Sequence, residues 1–208
     1  MKNTVNKKNK NTSEKNTRDR ILDISAELFS KRGYNGTSLR ILAELVNIKA
    51  GSLYHHFDSK EQLVTEVLVI GVNNILDNVI NHTNELPKNA STRALLVSAA
   101  KGHLEALHEK GDYTSTSIRN YGQLPEPVKK KVLKIRDKYE RLWKGWLEEA
   151  AKKGEIKSEV DLKILRLTIL GALNRTLEWY KKGEYSIEEI AEMQIGIIWD
   201  GCKKERDK

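Results

Sequence analysis

The sequence predicts an all-α protein: a small three-helix head at the N-terminus, then a larger helical bundle. Three observations carry this. Apolar residues recur at intervals of three and four along most of the chain, and no segment alternates convincingly with the two-residue period of a strand. Helix-start chemistry recurs, with Ser59 and Gln62, and again Ser186 and Glu189, at the spacing of a capping box. Breakers fall between the apolar stripes, at Gly33, Pro87, Gly111 and Gly154.

In chain order, residues 1–16 are Lys/Asn-rich and nearly devoid of apolar side chains, which predicts a disordered basic arm. As a charged arm it adds phosphate or minor-groove contacts; as a plain tail it does nothing. The first helix is expected from Thr17 to Lys31, with Ile21, Leu22, Ile24, Leu28 and Phe29 as its buried stripe. Gly33 stops it and Tyr34-Asn35-Gly36 makes the connection. Thr37–Lys60 then reads as helix–turn–helix. Leu39, Leu42, Ala43 and Val46 form one apolar face, and Asn47 stands where the chain must turn. A second short helix, about Ala50–His56, turns Leu53 and Phe57 inward. Its outward face offers Lys49, Gly51, Ser52, Tyr54, His55 and His56, donors of the kind that meet phosphates and base edges. Gly51 carries no side chain to hold the backbone away from a groove.

Ser59 opens the next helix, and Lys60 in its first turn is placed to meet a backbone phosphate. The stripe Leu63/Val64, Val67/Leu68, Gly71, Ile75, Val79/Ile80 carries this helix out of the head until the Pro87 region breaks it. Such a continuous helix is the physical means by which a distant pocket moves the head. Ser91–Lys110 follows, with Leu95, Leu104 and Leu107 on one face. Asp112–Gln123 is polar and poor helix material. Val128, Val132, Ile135, Tyr139, Leu142 and Trp146 then define a long amphipathic helix ending near Lys153. The last two helices are expected at Asp161–Lys182 and Ser186–Cys202, where Gly171, Ala172 and Gly196 allow close helix approach.

Charge divides the chain as the helices do. Residues 1–60 carry 12 Lys/Arg against 6 Asp/Glu, whereas residues 61–208 carry 25 against 23. Most of the net +8 therefore lies with the helix–turn–helix, the footprint of a nucleic-acid face. Cys202 is the sole cysteine, which excludes an intrachain disulfide and a cysteine zinc site. No apolar run reaches about 18 residues and no signal peptide opens the chain, so a cytoplasmic protein without membrane contact is expected. The five histidines form no HExxH pattern, and there is no Gly-rich phosphate loop, nucleophile elbow or Cys–His pair. Catalysis, a metal site and a cofactor are not expected.

Thr37…Ala43-Glu44…Gly51-Ser52-Leu53-Tyr54-His55-His56-Phe57-x-Ser59-Lys60-x-x-Leu63 resembles the DNA-binding signature of the tetracycline-repressor (TetR/AcrR) family, without a gap from about Ile21 to Val67. Two positions depart from that pattern. Asn47 stands where the family usually has Gly, a conservative change in a turn. Lys49 stands where Ser or Thr is common, which removes a helix cap and adds charge near DNA. The resemblance implies a DNA-binding domain over 17–62, with a ligand-binding and dimerisation domain over 63–208. It also implies a homodimer, through the last two helices, that reads a palindrome in double-stranded DNA as a repressor. Thr37, Ser38, Lys49, Ala50, Gly51, Ser52, Tyr54, His55, His56 and Lys60 are the expected DNA-facing residues.

Two further stretches, Asp112–Gln123 and Leu170–Tyr180, place polar residues where packing alone does not ask for them. With Arg141–Trp146 (RLWKGW) they resemble the branch of the family that answers to acyl-CoA or steroid-CoA thioesters. That likeness implies Arg119, Arg175 and Lys130 toward nucleotide phosphates. Leu104, Tyr121, Trp143, Trp146 and Trp179 would line an apolar slot, with Asn174 among the ligand contacts. Each Trp serves equally as a core aromatic, and Arg175 as an ion-pair partner. An architectural DNA-binding dimer without effector, a regulator of efflux genes with a hydrophobic ligand, and a small-molecule carrier or enzyme stay open as alternatives.

Overall fold

The computed structural model describes residues 3–109 and 111–205. Among them are nine α-helices and no extended strand pairing beyond two isolated bridges. The chain forms two compact units. The first holds the chain up to Gly71 together with Asp112–Leu133; the second holds Val72–Gly111 and Lys134 onward. The division expected between residues 62 and 63 thus falls one helical turn or more later, and a segment from mid-chain joins the N-terminal unit.

In the first unit, α1 spans Asn3–Arg32. It begins well before Thr17, and the arm expected to be disordered is drawn into the helix. Residues 3–16 contain neither Gly nor Pro, and Lys and Glu favour helix, so nothing stops upstream propagation from the packed segment. Met1 and Lys2 lie outside the described residues. Ile21, Leu22, Leu28 and Phe29 are buried, as the stripe predicts, and Ile24 is partly so. Gly33 follows with φ +73, a left-handed cap whose N–H donates to Phe29 O at 3.1 Å. Leu39–Val46 forms α2, capped by Ser38, whose side chain accepts from the Ile41 N–H. Asn47 takes φ 60, ψ 49, the left-handed turn expected of it, and returns its N–H to the end of α2. The short helix α3 covers Ala50–Tyr54, two residues less than expected at its C-terminal end. Leu53 and Phe57 are fully buried beneath it.

The mid-chain segment 112–123 is the element whose structure the local sequence conceals. It forms α6 over Asp112–Arg119 and a 3₁₀ turn over Tyr121–Gln123, despite its Ser and Thr content. Its hydroxyls are buried against α1 and bonded there: Ser115 with Ser30 at 2.8 Å, and Thr116 Oγ1 donating to Ala26 O at 3.1 Å. Tertiary hydrogen bonds satisfy groups that would otherwise compete with the helix backbone. Gly71 of α4, the helix spanning Lys60–Asn84, allows this approach, since a Cβ there would overlap the Tyr113 carbonyl oxygen. Ser59 caps α4 by accepting from the Gln62 N–H at 3.1 Å. Gln62 completes the box one residue earlier than expected, accepting from the Asp58 N–H at 2.6 Å. By length and composition α4 is apolar enough to cross a membrane, but half of that apolar window is buried inside the protein, as in a core helix.

In the second unit, α5 (Thr92–His108), the later part of α7 (Glu126–Lys152), α8 (Leu162–Trp179) and α9 (Ile187–Cys202) enclose one core. Leu96, Leu104, Trp143, Leu147, Ile169, Leu173, Ile190 and Ile195 lie at its centre. Ser186 and Glu189 form the reciprocal capping box predicted for α9. Asp161 caps α8 through the Lys163 and Ile164 N–H groups.

Candidate functional site

The outward face of α3 is open. Lys49, Ala50, Gly51, Tyr54 and His55 are exposed, Tyr54 at 55%, and Ser52 and His56 are half-buried. A Cβ on Gly51 would meet no atom within 4 Å, so the backbone there faces free space. Lys49 occupies the N-cap position without a side-chain hydrogen bond, as its departure from Ser or Thr implies. The exposed α3 N-terminal turn thus keeps backbone N–H groups and a cation on one surface, the combination that meets phosphates.

Lys60 is held rather than loose. Its ammonium lies 4.0 Å from the centroid of the Tyr34 ring, and burial lowers its pKa while neighbouring Glu61 raises it. Tyr34 is itself fixed at both ends. Its hydroxyl donates to Glu61 Oε1 at 2.7 Å, and its N–H donates to Asn120 Oδ1 at 2.8 Å. Burial, then the Glu61 carboxylate, pushes the phenol far up, so it stays a donor; the same bond lowers Glu61.

Thr37 departs from expectation. Its side chain is buried and its hydroxyl donates to Gly33 O at 3.0 Å. Instead of gripping a phosphate with that hydroxyl, it braces the turn that presents the exposed Ser38. Tyr34 and Asn120, absent from the expected set, belong to this surface's support. The sequence signal for Asn120 was its place in a polar stretch, but nothing local tied that stretch to the head.

The residues expected to meet a ligand are divided. Arg119 and Tyr121 belong to the first unit, the one exposed and the other half-buried. In the second unit, Leu104 and Trp143 are fully buried, with Trp146 edge-on to Trp143 at 5.5 Å between centroids. Asn174 Oδ1 lies 3.1 Å from His103 Nε2, and His103 Nδ1 lies 2.7 Å from the Tyr139 hydroxyl. With a carbonyl oxygen facing Nε2, the ring carries its proton there and accepts the Tyr139 O–H at Nδ1. Burial pushes His103 down to about 4, so it is neutral near pH 7, and burial raises Tyr139. Beside Tyr139, the buried Trp143 Nε1 makes no hydrogen bond of good geometry. Leu104, Trp143, Trp146 and Asn174 therefore gather round one buried polar cluster with His103 and Tyr139, two residues the sequence reading missed. Arg175 and Trp179 do not join it: both are exposed on α8. Lys130 belongs to the first unit and is exposed.

On the outside of the second unit, Ile164, Leu167 and Trp179 on α8 and Met193 and Ile197 on α9 are exposed large apolar side chains, Ile197 at 76%. Gly171 is exposed among those on α8, and a Cβ there would meet nothing within 4 Å. Such residues exceed what one core face needs.

Residues 21–67 match the model of bacterial regulatory proteins of the tetR family, and residues 89–202 match the tetracyclin repressor-like C-terminal domain. The HTH-type transcriptional repressor KstR2 of Rhodococcus jostii is 29% identical over 194 residues, covering 88% of this chain and 90% of that protein. The structure of the ketosteroid transcriptional regulator KstR2 of Mycobacterium tuberculosis superposes with a TM-score of 0.76 at 22% identity, over 90% of this chain and 95% of that one. AibR, solved in complex with isovaleryl coenzyme A and operator DNA, superposes with a TM-score of 0.77 at 21% identity, over 88% and 98%. At those identities the two structures establish a shared fold.

Proposed function

The chain belongs to the tetR family of bacterial regulatory proteins, and we propose on that footing that it is a ligand-released repressor acting as a homodimer on a palindromic operator. The observation that carries this is the open α3 face, where Lys49, Gly51, Tyr54 and His55 stand exposed around a backbone that nothing in the protein covers. In this reading α3 enters the major groove, with Lys49, Ala50, Gly51 and Ser52 nearest the bases. Ser38, Tyr54, His55, His56 and Lys60 hold the phosphates. With no Arg on the face, specificity leans on apolar contact, water and DNA shape.

One such helix reads only a few base pairs, so two must act together, with half-sites about 34–36 Å apart. The exposed apolar stripes of α8 and α9 supply the means. Ile164, Leu167 and Trp179 with Met193 and Ile197 offer a self-complementary surface to a second copy.

The effector reading is a coenzyme A thioester carrying an acyl or steroid group. AibR was solved with isovaleryl coenzyme A and KstR2 is described as a ketosteroid regulator, which supports this class. The buried Trp143 indole N–H and the His103–Tyr139–Asn174 chain offer neutral donors and acceptors to a carbonyl or hydroxyl among apolar walls. Binding there, and a shift of α4 with it, lowers operator affinity; couplings of this kind are typically about 1–3 kcal/mol. A competition assay tests it. Labelled palindromic duplex should resist unlabelled scrambled duplex and be released by acyl-CoA thioesters in a chain-length-dependent way. Retention at every chain length favours an effector-free dimer instead.

A further inference from the structure

The structure assigns to Asn120 a positioning role in DNA binding: from outside the helix–turn–helix, it holds the turn and the ring on which Lys60 is mounted. This rests on reading the first unit as the DNA-binding head. Asn120 is almost wholly buried and closes a circuit of main-chain bonds. Its Nδ2 donates to Phe29 O at 2.9 Å, near the C-terminal end of α1, and its Oδ1 accepts the Tyr34 N–H at 2.8 Å, just past that end. One amide thus spans both sides of the left-handed Gly33 and fixes the angle at which the chain leaves α1.

Everything that faces DNA downstream of that exit depends on the angle. The Tyr34 carbonyl accepts the Thr37 N–H at 3.4 Å, and Thr37 braces the turn before Ser38. The Tyr34 ring, stacked on Phe29 with centroids 6.2 Å apart, carries the Lys60 ammonium on its face. The hydroxyl of the same residue grips Glu61, the next residue of α4. Asn120 therefore reaches Lys60 through a single intermediary, a side chain rigid enough to transmit position. The residues around Asn120 reinforce this: Gln123 packs on Gly33, 2.8 Å from where a Cβ would sit, and Thr116 bonds α1 one turn earlier. Because α6 is bonded to α1 by hydroxyls and an amide and not by a greasy seam, the contact has one register, and losing it changes where Lys60 stands.

The full-length protein tests this by operator titration over a salt series, with Asn120→Ala, Lys60→Ala and the double variant. The expected result is about a tenfold loss of operator affinity for Asn120→Ala, the size of one charge-assisted contact per protomer weakened. The slope of log affinity against log salt should fall by about 1.8 for a dimer that loses two phosphate contacts. Lys60→Ala should then cost little more in the Asn120→Ala background. A merely structural Asn120 lowers the unfolding temperature but leaves the salt slope at its wild-type value, and additive losses in the double variant overturn the proposal equally. Should Asn120→Ala show no cooperative unfolding transition, Tyr34→Leu takes its place: it keeps an apolar filler, removes the ring beneath Lys60, and is held to the same slope and additivity criteria. A wild-type protein that holds palindromic and scrambled duplex alike overturns the DNA-binding reading itself; wild-type behaviour of the folded variants overturns only the role of Asn120.

Discussion

Gly51 separates the requirements of folding from those of DNA binding. It lies inside α3, faces free space, and does not occupy the left-handed region, so a side chain there meets neither a clash nor backbone strain. Gly51→Ala should stabilise the protein by about 0.5–1 kcal/mol, since Gly loses more chain entropy on entering a helix. That is roughly a two- to fivefold gain in the folded-to-unfolded ratio, readable in a urea titration. Gly51→Leu should be neutral for folding on the same argument. On DNA the order inverts. If the α3 backbone approaches the groove at Gly51, a Leu side chain holds the helix off and loses base contacts, each worth about 1–3 kcal/mol. Operator affinity should therefore fall roughly ten- to a hundredfold or more for Leu, with a smaller loss for Ala. Fluorescence anisotropy on a labelled operator measures this beside the unfolding curves. Wild-type affinity for a well-folded Gly51→Leu protein would refute the docking of this face.

Three further outcomes follow from the packing. Ile197→Glu should leave each protomer folded, because the side chain is 76% exposed there, yet shift sedimentation from dimer to monomer at micromolar concentration; a persistent dimer contradicts the α8–α9 interface. Gly71→Ala should cost about 1–3 kcal/mol by overpacking against the Tyr113 carbonyl, lowering the unfolding temperature by several degrees, and an unchanged temperature contradicts the α4–α6 contact. His103 is depressed from 6.5 to about 4 on folding, so the unfolded state binds more protons between those values. Stability should be full above about pH 6.5 and decline as pH falls toward 4, by up to about 3 kcal/mol, with His108 adding in the same sense. His103→Gln should flatten that decline, and an identical pH profile for wild type and variant removes His103 from the account.

The head was legible in the sequence because its signals are local. Leu42, Ala43, Val46, Leu53 and Phe57 are all buried where the helical period places them, and the left-handed Asn47 is a turn residue doing a turn's work. Helix ends were legible for the same reason, through Ser38, Asp161 and Ser186 at their N-caps. The α6 segment was not. Its four buried hydroxyl residues at 114–117 look like a loop until Ala26 O and Ser30 of α1 are there to bond them, and those partners lie some ninety residues away. Thr37 misled for the complementary reason: a hydroxyl at the edge of a DNA-facing helix has the right chemistry for a phosphate, but Gly33 O is nearer. In the second unit, the apolar positions of α8 do not declare which face meets the core and which meets another molecule. Trp179 and Trp143 read alike in sequence, although one is exposed and the other fully buried. The His103–Tyr139–Asn174 chain joins three helices, so no spacing within any one of them announces it.

The central claim is that two α3 helices, fastened together by the second unit, must enter one face of the duplex at once. Operator affinity as a function of half-site spacing measures it most directly. Inserting about five base pairs turns one half-site to the far side of the helix, and inserting about ten restores its facing at a greater separation. The account predicts that the five-pair insertion reduces affinity to that of a single half-site. Equal binding to the native and the five-pair-shifted operators would contradict it.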